Sequence, residues 1–339
     1  MIELIMAIAL LAAFYVCWNI GANDSANVAG AAVGGRLISY RRAIAIIILF
    51  VVLGAVLEGW KNMKTVGEGI VFPVAGVEEN PFYSIPVVAV SVLFAAGIWV
   101  TCATMFGLPV STSQSMIGAV VGGGLLISFM QPEGVGAAVR FGKIGGIALS
   151  WIISIIAAAV LAYAIYRAFG SLMRRVKNLL LLNRIFLILV TIAAAYSAYT
   201  IGANDVGTST GVLYAVSGTA GLSSIQIVGL FGGVAVAVGA ITYSRKVMRT
   251  VGTGITRLDA LGAFAAQVGA ALAVHSFVQF GIPVSTSQAI VGGVIGVGLV
   301  KGVIAVDKRK IGKIGIAWIL TPFVTCLLAF LLGMLFLQV

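Results

Sequence analysis

Charge is scarce in this sequence, and negative charge scarcer still. Of 339 residues only 9% are Asp, Glu, Lys or Arg, with 10 acidic against 21 basic, and there is one histidine. A soluble domain needs a polar surface to cover its core, so this shortage, beside 61% hydrophobic residues and a mean hydropathy of +1.14, excludes one. Cysteine is equally sparse. Cys17, Cys102 and Cys326 stand in separate apolar stretches without metal-type spacing, which excludes a disulfide framework or zinc cluster and leaves core packing as the expected role of each. Strand-length segments of alternating polarity are missing, so a membrane β-barrel is excluded. No Lys-Ser/Thr pair follows the glycines at Gly122-Gly123-Gly124 or Gly292-Gly293; these predict close helix packing and not a phosphate loop. His275, alone of its kind, is expected to pack between helices and not to relay protons.

What is present is a series of long apolar runs, among them Ala43–Leu57, Val87–Val100, Ile147–Ala164 and Ile314–Leu337. They predict an all-α membrane protein of about 10 to 12 transmembrane segments. The first run lacks a basic leader, carries Glu3 and continues into Asp24, so it is expected to be a mature helix and not a cleaved signal. The net charge of +11 could suggest a nucleic-acid partner, but every Lys and Arg falls in a connector or at a helix end, where it sets topology. No nucleic acid is expected; membrane lipid is.

The sequence repeats itself. Gly-Ala-Asn-Asp at 21–24 returns at 202–205, Val66-Gly67-Glu68-Gly69-Ile70 answers Val251-Gly252-Thr253-Gly254-Ile255, and Pro-Val-Ser-Thr-Ser-Gln at 109–114 returns at 283–288. Lys143-Ile-Gly with Trp151 likewise answers Lys310-Ile-Gly with Trp318. The order is the same in both halves, which divides the chain into residues 1–170, a basic linker 171–184 and residues 185–339. If that linker is cytoplasmic and each half crosses the membrane an odd number of times, 17 of the 21 basic residues fall inside. A parallel repeat would mix these sets, so the expectation is an inverted repeat with both termini outside.

Within each half the same plan is expected: a helix interrupted at Gly-Ala-Asn-Asp (2–35 and 185–216), a second helix (41–60 and 222–243), a broken-helix or re-entrant hairpin (86–129 and 258–299), and a long last helix (144–166 and 314–337). The hairpins would turn at Gly107-Leu108-Pro109 and Gly281–Ser285. Glu58 and Glu68 fall near the outer end of the second helix, where solvation explains them; Glu68 also lies in a repeated block and could line an entrance.

An ionisable group at membrane depth persists only when it faces a cavity, an ion or a partner, and Asp24 and Asp205 occupy matching positions of two halves. Pro-Val-Ser-Thr-Ser-Gln reads as a helix start whose hydroxyls cap the next helix, offering free N–H groups, hydroxyls and a positive dipole end to an anion. Asp24 and Asp205, with oxygens of Asn23, Asn204, Ser111 and Ser285, supply the hard ligands that Na⁺ accepts. Bound Na⁺ would neutralise the carboxylates and draw in the oxyanion. A carboxylate can also accept a hydrogen bond from a P–OH group, which sulfate lacks at neutral pH, so phosphate is favoured.

At these motifs the sequence resembles the inorganic phosphate transporter (PiT) family, the sodium- or proton-coupled phosphate permeases, over essentially its whole length. The resemblance implies an inverted-repeat transporter, commonly a homodimer, with phosphate and Na⁺ held centrally. It implies that Asp24, Asn27, Thr112, Ser113, Gln114, Asp205, Thr208, Thr286, Ser287 and Gln288 line the phosphate cavity, and that Asn204 holds ions or substrate. Thr208 stands where the first copy has Asn27, and Thr253 stands opposite Glu68. The large hydrophilic central domain of animal members is missing. The expected activity is therefore import of inorganic phosphate with Na⁺ across the plasma membrane by alternating access, and not catalysis. The rivals are a proton-coupled phosphate or sulfate permease on the same scaffold and an intramembrane aspartyl protease, in which close carboxylates share a proton. The protease reading gives the duplicated Ser-Thr-Ser-Gln blocks no work.

Overall fold

A computed structural model describes residues 2–34, 37–73, 80–106, 110–130, 138–217, 224–245, 248, 258–301 and 308–338. Among them the regular structure is helical, with one isolated bridge between Val71 and Val139. The first half holds α1 (Ile2–Gly34), α2 (Tyr40–Leu57), α3 (Trp60–Glu68), a single turn α4 (Pro81–Ser84), α5 (Pro86–Met105), α6 (Thr112–Phe129) and α7 (Phe141–Met173). The second holds α8 (Leu179–Ile201), a π turn (Gly202–Val206), α9 (Gly207–Ser217), α10 (Ile225–Thr242), α11 (Ala260–Gln279), α12 (Thr286–Lys301) and α13 (Lys308–Phe336). Nine helical stretches among the described residues are long and apolar enough to cross a bilayer, and Thr286–Val300 is a shorter apolar helix beside them. The protein is an all-α membrane protein.

The first Gly-Ala-Asn-Asp copy corrects the expectation of a break. Residues Ile2–Gly34 form one unbroken helix, and only the second copy departs from α geometry, as the π turn Gly202–Val206. The glycines serve contact between helices. A Cβ placed on Gly21 would lie 1.9 Å from the Val236 carbonyl oxygen of α10, and one on Gly202 would lie 2.0 Å from the Val51 carbonyl oxygen of α2. The contact is returned from the other side. Gly239 of α10 abuts the Trp18 carbonyl of α1, and Gly54 of α2 abuts the Tyr199 carbonyl of α8. Backbones that touch at van der Waals distance gain dispersion energy without a hydrophobic drive, which is how helices associate in lipid.

The same exchange governs the hairpins. The first, α5 with α6, packs on α1 and on α13 of the second half; the second, α11 with α12, packs on α8 and on α7 of the first half. Gly118 and Gly122 of α6 face Pro322 and Cys326 of α13, while Gly292 and Gly296 of α12 face Ile155 and Ala159 of α7. Each half therefore clasps the other's hairpin.

Several other boundaries differ from expectation. The predicted helix 41–60 ends at Leu57, and α3 begins at Trp60 after a two-residue turn. The last helix of the first half runs to Met173, so Arg167 lies within it and the connector to α8 shrinks to residues 174–178. Cys102 is exposed, against the expectation of core packing; Cys17 is buried, Cys326 is half-buried, and all three thiols are free. The repeated block 251–255 and the turn 107–109 lie outside the described residues.

Candidate functional site

The two Ser-Thr-Ser-Gln segments start helices as their sequence dictates. Ser111 Oγ accepts the Gln114 N–H at 3.2 Å, and Ser285 Oγ accepts the Gln288 N–H at 3.1 Å. Both serines, expected from sequence as Na⁺ ligands, thus cap their helices with one lone pair of the side-chain oxygen. The capped ends bring the next two hydroxyls of each hairpin to the carboxylates in a crossed pattern. Thr112 donates to Asp24 Oδ2 at 2.6 Å and Ser113 donates to Asp205 Oδ1 at 2.6 Å. From the other hairpin Ser287 donates to Asp24 Oδ1 at 3.4 Å, and the Thr286 hydroxyl lies beside Asp205. Asp24 is therefore held by one hydroxyl from each half, whereas Asp205 is held by Ser113 of the opposite half and its Oδ2 has no partner among the described residues.

Amides complete the lattice. Asn27 Nδ2 donates to Ser287 Oγ at 2.9 Å and to Asp24 Oδ1 at 3.2 Å. Asn204 Nδ2 donates to the Val284 carbonyl at 2.7 Å and to Asp205 Oδ1 at 2.9 Å. The Thr208 hydroxyl donates to the Asn204 backbone carbonyl at 2.6 Å, turned along its own helix. Gln114 and Gln288 are buried at 3% and 5% exposure, and the side-chain carbonyl of each has no partner among the described residues. Asn23, the counterpart of Asn204, is only half-buried and has no side-chain hydrogen bond among the described residues. A small cavity adjoins the lattice, with Asn27, Ser197, Thr200 and Thr286 among its polar walls.

Asp24 is 0% and Asp205 1% exposed, and neither forms an ion pair; the two ion pairs among the described residues, Lys61 and His275 to Glu58, are elsewhere. Two carboxylates out of water need compensation, and hydroxyls with helix N-termini supply only part of it. The remainder calls for a cation or a proton.

Comparison with known proteins decides the class. The model of the phosphate transporter family matches residues 20–329. The chain belongs to the phosphate transporter family. It is 31% identical over 390 residues to a protein of Pyrococcus furiosus provisionally named a phosphate permease, spanning 94% of this chain and 92% of that one. A Thermococcus kodakarensis protein with the same provisional name is 30% identical over 406 residues, covering 97% of each. Among solved structures, one described as the sodium-dependent phosphate transporter superposes with a TM-score of 0.85 at 24% identity, over 99% of each chain, which establishes the fold.

This phosphate transporter also holds a polar cluster that the sequence reading left to solvent. Glu58, at the C-cap of α2, accepts from Tyr199 at 2.7 Å, from Gln279 at 2.7 Å and from Lys61 at 2.8 Å. The His275 ring lies 3.2 Å from both carboxylate oxygens, and its other nitrogen meets the Tyr196 hydroxyl at 2.8 Å. Burial raises the Glu58 carboxyl, but hydrogen bonds from Lys61, Tyr199 and Gln279 with the charge of His275 outweigh it and hold the group down at about 2. Glu58 is thus bound, not solvated, and His275 hydrogen-bonds as well as packs; Glu68 is exposed, as expected. The cluster fastens α2 and α3 to the tip of the second hairpin. Gly281, at φ 63°, brings that tip close to the Lys61 carbonyl and the Thr65 hydroxyl of α3.

Asn62 of α3 escaped the sequence reading altogether. It is fully buried and donates to Asn204 Oδ1 at 3.1 Å. By the offset of the Val66 and Val251 blocks its counterpart is Val247, so no repeat marked it.

Proposed function

We propose that this phosphate transporter imports inorganic phosphate together with Na⁺ by alternating access, from a site between the Asp24 and Asp205 carboxylates and the hydroxyl-rich starts of α6 and α12. The observation that carries the reading is the crossed lattice. Two buried carboxylates without a basic partner take hydroxyls of both hairpins, and Asp205 Oδ2 has no partner among the described residues, so a cation that engages the carboxylates frees Thr112, Ser113 and Ser287 to turn toward an oxyanion. Cation and anion then compensate each other in the low dielectric, which couples their movement. The name of the sodium-dependent structural relative supports Na⁺ in this role.

Exchange of hairpins between halves supports an inverted pair whose relative movement opens the site to either side. Both termini lie outside, in the plasma membrane, and the chain works as a homodimer. Phosphate uptake into proteoliposomes tests the reading. An imposed Na⁺ gradient drives accumulation above equilibrium, and excess sulfate leaves it intact. Accumulation that ignores Na⁺ and follows a pH gradient would assign the compensating charge to a proton instead.

A further inference from the structure

We propose that Asn62 is a positioning residue of this site: it holds the Asn204 carboxamide in the orientation that turns its NH₂ group on Asp205, and so ties the seating of α3 to phosphate affinity. The inference rests on the reading that this site takes phosphate. Asn62 Nδ2 donates to Asn204 Oδ1 at 3.1 Å, and lies 3.3 Å from the Asn204 backbone carbonyl and 3.4 Å from the Thr208 hydroxyl. Asn204 Oδ1 takes a second hydrogen bond from the Val284 N–H at 3.2 Å. A carbonyl oxygen has two lone pairs, and both are now used. The Asn204 NH₂ is left to face the Val284 carbonyl at 2.7 Å, Asp205 Oδ1 at 2.9 Å and Ser113 Oγ at 3.4 Å. Turned the other way, it would set donors against two donors and an oxygen against a carboxylate.

Two further observations separate this role from packing. Asn62 Oδ1 is buried and has no partner among the described residues, a cost that an apolar residue of the same size would avoid. The segment that carries Asn62 is also the one clasped to the second hairpin, through Lys61 to Gln279 at 2.7 Å and Glu58 to His275 at 3.2 Å. When α3 is seated, the Asn204 amide is fixed; when α3 departs, one of its two acceptor contacts goes with it.

The test is equilibrium binding of radiolabelled phosphate to the purified full-length protein at saturating Na⁺, with uptake kinetics in proteoliposomes. N62A is expected to raise the phosphate Kd and KM about tenfold, or about 1.4 kcal/mol, with maximal rate per folded transporter largely kept. In N204A the same N62A change is expected to add almost nothing, because the group it orients is gone. N62D, which keeps the shape and turns oxygens on Asn204, is expected to exceed N62A, and N62S, which keeps a short donor, to fall below it. Effects of N62A and N204A that multiply in the double variant, or an N62A loss confined to the amount of folded protein, would overturn the proposal. Wild-type protein that binds no phosphate would instead sink the functional reading on which it rests.

Discussion

Both hairpins start their second helix with the same four residues, and each sends a hydroxyl to a buried carboxylate, but the flanks that grip them differ. Where the second hairpin has His275 bonded to Tyr196, the first has Thr101 bonded to Tyr15, with Asn19 Oδ1 accepting from Thr101 at 3.0 Å. Opposite Glu58 the repeat offset puts Tyr243, whose ring lies 5.9 Å from that of Trp18; opposite Tyr199 it puts Trp18 itself, which donates to Thr242 at 2.9 Å. One flank is a charged cluster built around a carboxylate, and the other is made of hydroxyls, an amide and a tilted pair of rings. The centre repeats the same acids and hydroxyls in both halves. The flanks differ in charge, which leaves one of them open to pH and ionic strength.

The largest effect tests the symmetric centre. Asp24→Asn and Asp205→Asn each remove a carboxylate that no neighbour can replace, so Na⁺-driven phosphate accumulation should fall at least ~100-fold in both, a loss of about 3 kcal/mol or more. Proteoliposome uptake measures it, and a variant that still accumulates phosphate breaks the equivalence of the two acids. Next come the close crossings. Gly21→Leu and Gly202→Leu should each cost ~3 kcal/mol or more of stability, since the added Cβ would lie 1.9 and 2.0 Å from a backbone carbonyl that cannot yield. Yield of monodisperse protein and thermal melting in detergent report this. Equal losses support equivalent crossings at the two motifs.

The hydroxyls sharpen the comparison further. Ser113 meets its carboxylate at 2.6 Å and Ser287 at 3.4 Å. A hydrogen bond to a charged acceptor contributes about 1.5 to 3 kcal/mol when short, and the cation must displace it, so Ser113→Ala should lower the Na⁺ concentration for half-saturation by roughly tenfold or more and Ser287→Ala by clearly less. Equal effects would mean that the two hairpins engage their acids alike during turnover.

How much of this was legible without coordinates follows from what duplication can mark. The acids, the capped helix starts and the residues that line the lattice recur in both halves, so periodic apolar runs and repeated polar motifs revealed them. Gly21 was misjudged because a glycine inside a helix signals either a break or a close neighbour, and only the neighbour's identity, Val236, decides. The capping by Ser111 and Ser285 was legible because a hydroxyl residue after Pro-Val marks a helix start. Asn62, Glu58 and His275 were missed or taken as bland for the opposite reason. Each lies opposite an unlike residue in the repeat, and their partners are remote in sequence, so nothing short of packing brings them together.

The smallest expected effect bears on the charged flank alone. Glu58 is brought from its ordinary 4.5 to about 2, so its contribution to folding is fully present above the ordinary value and fades as pH falls toward about 2. Glu58→Gln keeps an acceptor but loses the charge that Lys61, Tyr199 and His275 address. At neutral pH it should lower the melting temperature by a few degrees, and that gap should close as the pH is brought from about 4.5 down to about 2. Tyr243→Phe on the other flank removes only a hydroxyl and should show the same small change at every pH. Melting both variants against wild type across that window isolates charge as the variable. A gap for Glu58→Gln that stays constant with pH would mean that the cluster acts by shape, and the two flanks would then differ in sequence but not in chemistry.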